Sequence, residues 1–329
     1  MSLASLMRSV FLCVVVATAA TAAGAETIRL AMNGAENLET NSEYAFVVAF
    51  RDALAGAGVT VEVHPSDALG SEKERLGQTA QGLIHVNLAA ATTPASMSPL
   101  LRGTILPFFF RSSAEFDTVM AKTPLLEKIN AAMIENGVRV VAFNQRGLDA
   151  GIFNTKRAVA TLTDLEALRM RALSKSQVAF FETLGVQSTV VPWGEVANAL
   201  QTGIVDGYVN PPNAALRVGH TQYLKHYTPA DLAPSMRAVL VSEDWWSGMN
   251  DKQRAQVAGA IRAGVAANRA WVVEWGKQVD ARFRDAGVTV TALAPGERDK
   301  MKARAQATYK ALLGDDGLAV YESAFAAVR

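Results

Sequence analysis

Residues 162–210 read LTDLEALRMRALSKSQVAFFETLGVQSTVVPWGEVANALQTGIVDGYVN. Inside this stretch LRMRAL (168–173) alternates. A period of two puts Leu168, Met170 and Ala172 on one face of a short strand, and Arg169 with Arg171 on the other. A charged face on so short a strand looks at water, at a carboxylate or at a ligand. Downstream, 178–184 has helical spacing, 189–191 reads as strand, 195–201 as helix and 204–209 as strand. The run Asn210-Pro211-Pro212-Asn213 stops the last of these. Strand and helix in alternation predict α/β units with parallel strands.

The same rhythm runs through the first half. Strands are expected at 27–32, 59–63, 84–88 and 138–142, with helices at 44–54, 71–81, 114–122 and 124–135. Further strands are expected at 151–154 and 237–241. Two similar halves without a low-complexity tether predict two lobes around a cleft. The expected division is 26–147 plus 237–275 for lobe I and 148–236 plus 276–329 for lobe II. The longest helical signal, 250–287, opens on an Asn250/Gln253 capping box and closes at Gly287. At 1.5 Å per residue it would run roughly 55 Å, long enough to brace both lobes. Gly259, Gly264 and Gly276 are places for it to kink or break.

Composition bounds the rest. Of 329 residues 50% are hydrophobic and 19% charged, with 32 basic against 31 acidic side chains. That balance argues against nucleic acid or an anionic membrane as the main partner. Residues 1–25 carry one charge, Arg8, then the apolar run Val10–Val16, then small residues ending Ala23-Gly24-Ala25. This is the order of a secretory signal cleaved near Ala25, which predicts a periplasmic protein. Cys13 is the only cysteine and lies in that signal, so the mature chain has no disulfide and no thiol ligand.

His64, His85, His220 and His226 lack zinc-helix spacing and read as exposed or capping residues. There is no G-x-S-x-G and no phosphate loop. The residues therefore predict no enzyme, metal or cofactor. Binding chemistry is better represented. Arg171 ends a strand, where ligands of α/β folds gather, and its fork fits a carboxylate. The alternative is a surface ion pair to Asp164 or Glu166. Trp193, at a strand-to-helix junction, walls a pocket or fills the core. Asn210 and Asn33, each at a strand end, donate to a ligand or stabilise a turn. Arg169 is expected to face solvent.

These pieces line up with one family. LTDLEALRMRAL (162–173) and LGVQSTVVPWGEVANALQTGIVDGYVN (184–210) resemble the solute-binding proteins of TRAP (tripartite ATP-independent periplasmic) transporters, dicarboxylate-binding type. LAMN (30–33), HPSDALGSEKE (64–74), LPFFFRSS (106–113) and EDWWSGMNDKQRAQV (243–257) extend the resemblance. It implies a two-lobe periplasmic binding protein fold, type II-like, with a hinge, crossover strands and a long C-terminal helix bracing both lobes. It implies capture of an organic acid and delivery to the small and large permease proteins of an ion-gradient-driven transporter. A ligand-sensing component for a receptor kinase is the alternative. By resemblance Arg171 holds the ligand carboxylate, Trp193 stacks on it, and Asn210, Asn33 and Glu72 complete the pocket. Some members carry a second arginine where this chain has Gly151; Arg146 is the candidate substitute. Ala90 or Ala91 replaces an acidic residue, and His85 another. These departures, with Phe153 and Trp193 nearby, predict a small or weakly polar acid.

Overall fold

The computed structural model describes residues 26–329 apart from residue 67. The proposed signal, with Arg8 and Cys13, lies outside the described residues. Eleven strands are described: β1 (Glu26–Ala31), β2 (Val59–His64), β3 (Val86–Ala90), β4 (Val138–Gln145), β5 (Gly151–Asn154), β6 (Arg169–Ala172), β7 (Gln187–Val190), β8 (Gly207–Asn210), β9 (His226–Thr228), β10 (Met236–Ser242) and β11 (Thr289–Val290). They form two sheets, ordered β2-β1-β3-β10-β4 and β11-β9-β5-β8-β6-β7.

Both sheets are mixed, not wholly parallel as the alternation predicts. β10 runs antiparallel to β3 and β4, and β5 runs antiparallel to β8 and β9. The cause is connectivity. The chain leaves the first sheet after β4 and re-enters it through β10, so the returning strand arrives reversed. The two crossing segments lie side by side and are hydrogen-bonded: Arg146 N to Ser235 O at 2.7 Å, Leu232 N to Ala150 O at 2.9 Å, Ala150 N to Ala233 O at 3.0 Å. Every residue of β10 is buried, as expected of a strand flanked on both edges and covered on both faces.

The helix expected over 250–287 is two helices. Asp251–Gly276 opens on the Asn250/Gln253 capping box, and a separate helix spans Val279–Asp285. The first packs against the helix Ser42–Leu54 on the first sheet, around Phe46, Phe50, Val257 and Ile261. Gly264 sits where a Cβ would meet the Phe46 ring at 2.5 Å, so this glycine serves close packing rather than a kink.

The brace is a different helix, Glu297–Ala326, bent at Gly314 (φ 70°). Toward the second sheet, Glu297 accepts from Leu162 N at 2.8 Å and Arg304 pairs with Glu166 at 2.9 Å. Toward the first, Tyr309 and Tyr321 donate to the carbonyls of Pro107 and Leu100, each at 2.6 Å. Phe109 fills the space between the rings of Tyr309, Tyr321 and Phe325, with centroids 4.8–5.1 Å away. This segment is therefore shared by both lobes rather than belonging to the second. Among the described residues no helix is long and apolar enough to cross a membrane.

Candidate functional site

A cavity of about 390 Å³ opens between the sheets. Its walls come from both lobes: Ala90 and Ala91 after β3, Arg146 on one crossing segment, Asn210 and Pro211 at the end of β8, and Arg237 on β10. Arg146 is held there by its backbone. Its carbonyl accepts from Ser42 Oγ at 2.9 Å and from Asn213 Nδ2 at 2.7 Å. The preceding residue is clamped by the fully buried Asn268, which accepts from Gln145 N at 2.7 Å and donates to Gln145 O at 2.8 Å.

Two guanidinium groups flank Trp193. The Arg146 and Arg171 Cζ atoms lie 5.9 and 5.7 Å from its ring centroid, within cation–π reach. Arg171 is 4% exposed; its Nε donates to Val191 O at 2.8 Å, leaving the outer nitrogens of the fork uncommitted to protein. Burial pushes its pKa down to about 10. Burial, then the charges of Arg237 and Arg217, push Arg146 down to about 9. Neither arginine has an ion-pair partner among the described residues. The alternative partners of Arg171 are engaged elsewhere: Asp164 caps its own helix with Thr161, and Glu166 pairs with Arg304. Arg169, on the same strand face, is not simply solvated; it forms a two-point pair with Asp206 at 2.8 and 3.0 Å.

Asn210 is 7% exposed and lines the cavity, and its amide makes no hydrogen bond to protein among the described residues. Trp193 is half-buried and packs on Tyr208 and His220, with centroids 5.8 and 5.1 Å away. His220 is buried, not exposed as its sequence context predicts. Burial, then the charge of Arg171, lower its pKa, which keeps the ring neutral near pH 7.

Three expected ligand residues have other work. Phe153 is fully buried between Tyr227 (4.5 Å), Tyr208 (5.5 Å) and Phe283 (5.6 Å), so its ring cannot touch a ligand. Glu72 and Asn33 belong to a network behind the cavity. Glu72 accepts from Asn33, from Arg237, from Ala90 N at 3.0 Å and from Thr93 at 2.7 Å. Asn33 also accepts from Arg75, and its backbone N–H donates to Glu43 at 3.0 Å. Every polar atom of the two side chains is thus occupied. Burial raises the Glu72 pKa, but Arg237 and the donors outweigh it and hold the carboxyl at about 2. Glu43, 1% exposed, completes the network by pairing with Arg237 at 2.7 Å.

Arg237, Arg75, Glu43 and Arg217 are not apparent from the sequence. One signal existed: Arg237 opens an otherwise apolar strand, Ala238-Val239-Leu240-Val241, where a charge must have a buried partner. Gly151 has a local cause. A Cβ there would meet the Tyr227 ring at 2.4 Å and Thr228 O at 2.6 Å, so no arginine fits. His85 is also structural, accepting from Arg29 N at 3.0 Å and stacking on Trp245.

Two lobes joined by paired crossing segments, with a cavity lined from both, are the architecture of a solute-binding protein; Arg146 lines that cavity, while Arg171 and Trp193 stand beside it and are not among its lining residues. The chain matches the family described as bacterial extracellular solute-binding protein, family 7, over residues 36–315. It belongs to that family, the solute-binding proteins of TRAP transporters, as the sequence resemblance implies. It is 24% identical over 296 residues to the 2,3-diketo-L-gulonate-binding periplasmic protein of Escherichia coli K12, covering 88% of each chain. It is 28% identical over 246 residues to the C4-dicarboxylate-binding periplasmic protein of Rhodobacter capsulatus, covering 72% of this chain and 71% of that one. Its fold matches that of a TRAP solute-binding protein from Chromohalobacter salexigens solved with D-glucuronate (TM-score 0.82, 20% identity, 91% of this chain and 99% of that one).

Proposed function

We propose that this protein captures an organic acid as its carboxylate between the lobes and passes it to the small and large membrane subunits of a TRAP transporter. In this reading it acts in the periplasm after loss of a signal cleaved near Ala25, and residues 26–147 with 237–275 close against 148–236, the helix Glu297–Ala326 being shared by both lobes. One observation carries the proposal: the buried Arg171 and the half-buried Arg146 lie within 6 Å of the same tryptophan ring, and neither has an ion-pair partner among the described residues. A buried cation without a partner is costly, and a ligand carboxylate removes that cost. Asn210 supplies a further donor and Trp193 a wall. The acids in the names of the relatives support the class of ligand.

Mass spectrometry of the solute that co-purifies, then calorimetry with a panel of acids and their amides, tests this. Acids bind and amides do not. Arg171→Ala weakens the acid by about 3–5 kcal/mol, the scale for stranding one partner of a buried pair. Arg171→Lys also weakens it, because an ammonium cannot reproduce the two-point fork. Unchanged affinity in Arg171→Ala removes that residue from the site.

A further inference from the structure

Trp193 packs on two rings that also touch each other. Its centroid lies 5.8 Å from that of Tyr208 and 5.1 Å from that of His220, and those two lie 5.8 Å apart. Tyr208 is fully buried, His220 is 5% exposed, and the Tyr208 hydroxyl lies 3.3 Å from His220 Nδ1. Tyr208 belongs to a cluster with Phe153, Val196, Leu200 and Leu224. A phenyl ring would pack beside it without the desolvation cost of an imidazole. The backbone fixes His220, whose carbonyl accepts from Tyr223 N and Leu224 N at 3.0 Å each. An imidazole is thus set against the same indole that the Arg146 and Arg171 guanidinium groups approach.

Resting on the carboxylate reading above, we propose that His220 is a positioning residue for the solute site: its ring supports Trp193, and capture of an acid at Arg171 draws a proton from solvent onto the imidazole. The surrounding charges favour this coupling. Arg171 stands on β6, Arg146 on a crossing segment, and Arg217 ends the helix Pro212–Arg217 just before His220. Lys225, after it, is exposed and donates to Thr221 O at 3.2 Å, and Glu195, on the turn that carries Trp193, is exposed. Among the described residues no carboxylate pairs with His220. Burial, then the Arg171 charge, keep its ring neutral, while burial keeps the proton on the Tyr208 hydroxyl, which can donate to Nδ1. A carboxylate at Arg171 cancels the charge that opposes protonation. The proton then enters at Nδ1, and the Tyr208 hydroxyl turns to accept. Because the bound state holds more protons, affinity for the acid rises as pH falls below 6.5, as long as the solute carboxylate stays ionised.

Two measurements on the full chain test this, with succinate, D-glucuronate and pantoate as probes. The first is a histidine titration by nuclear magnetic resonance, with the His220 signal identified by its loss in His220→Phe. Arg171→Gln, which removes the charge without any solute, should raise the His220 pKa, and so should a saturating acid on the wild type. The second is calorimetry. Binding should be about threefold tighter at pH 5.5 than at pH 7.5, and His220→Phe, which keeps a ring but cannot titrate, should lose that dependence. His220→Ala should weaken the acid about tenfold at pH 7.5, with His220→Phe restoring most of it. An unchanged His220 pKa in Arg171→Gln, a pH dependence kept in His220→Phe, or wild-type affinity in His220→Ala overturns the proposal while the carboxylate reading stands. A His220 pKa that responds to Arg171→Gln but not to a bound acid places the carboxylate away from Arg171 and overturns both. Binding by none of the three acids overturns the carboxylate reading itself.

Discussion

At the scale of single residues, the alternation in LRMRAL puts two arginines on one face, and their neighbours separate them. Asp206, the residue before β8, takes Arg169, while Arg171 donates to a backbone carbonyl and lies beside a tryptophan. Gly151 argues the same way from the opposite side. The place where some relatives carry a second arginine is filled by Tyr227, and in the proposed site Arg146, five residues earlier, is the charge that would stand in for it. Gly151→Arg is therefore expected to destabilise the protein by more than 3 kcal/mol, because the new side chain collides with a ring and a backbone oxygen. A thermal melt of that variant checks it. A stable variant with tighter acid binding would mean that the second lobe opens to admit the side chain. The positions of Arg171 and Asn210 on strands and of Trp193 in the turn after β7 are legible in the sequence, because each stands in a recognisable segment; their part in binding is the proposal. Phe153 misleads because its strand position is right but its ring points into the aromatic cluster of the second lobe, a direction only the tertiary structure sets.

At the scale of elements, strand and helix identities follow from periodicity, while orientation and reach depend on contacts distant in the chain. The antiparallel return of β10 is invisible to local pattern. The helix expected over 250–287 ends at Gly276, and the brace over 297–326 is faint because its buried face is built partly of Ala305 and Thr308, which carry little apolar weight. The network of Glu72, Arg237, Glu43 and Asn33 joins the helix Glu72–Ala80 to β1, β10 and the helix Ser42–Leu54. Its pH dependence follows from Glu72. With a folded pKa of about 2 against 4.5 unfolded, the carboxylate stabilises the fold fully above pH 4.5 and loses that contribution as pH falls toward 2. The shift corresponds to something on the order of 3 kcal/mol. Wild-type melting temperature should drop more steeply between pH 4.5 and pH 2 than that of Glu72→Gln, which has no carboxylate to protonate. Parallel curves would mean that Arg237 relies on Glu43 alone.

At the scale of the whole molecule, the brace helix must tolerate any change in the cleft. Its first half meets Leu162, Glu166 and Leu184 of the second lobe. Its second half and the chain end meet Leu100, Phe109 and Glu115 of the first. Gly314 follows Tyr309, which already meets Pro107 and Phe109 of the first lobe, and takes a positive φ that glycine adopts without strain. In the proposed reading, lobe closure is expected to be taken up at Gly314 and in the two paired crossing segments, with the rest of the helix kept whole. A ligand that contacts both lobes shifts the population toward the closed form by its differential affinity. The cysteine-free sequence from residue 26 onward allows two labels to be placed without background. Cysteines introduced at the exposed Arg51 and Thr202, one on each lobe, report the distance across the cleft. Adding a bound acid should shorten and narrow the distance distribution measured by electron–electron resonance. Gly314→Val should broaden the acid-bound distribution and lower the affinity, since a β-branched residue resists positive φ. An unchanged distance on binding would show that the site is already formed in the free protein, and that the bend serves packing alone.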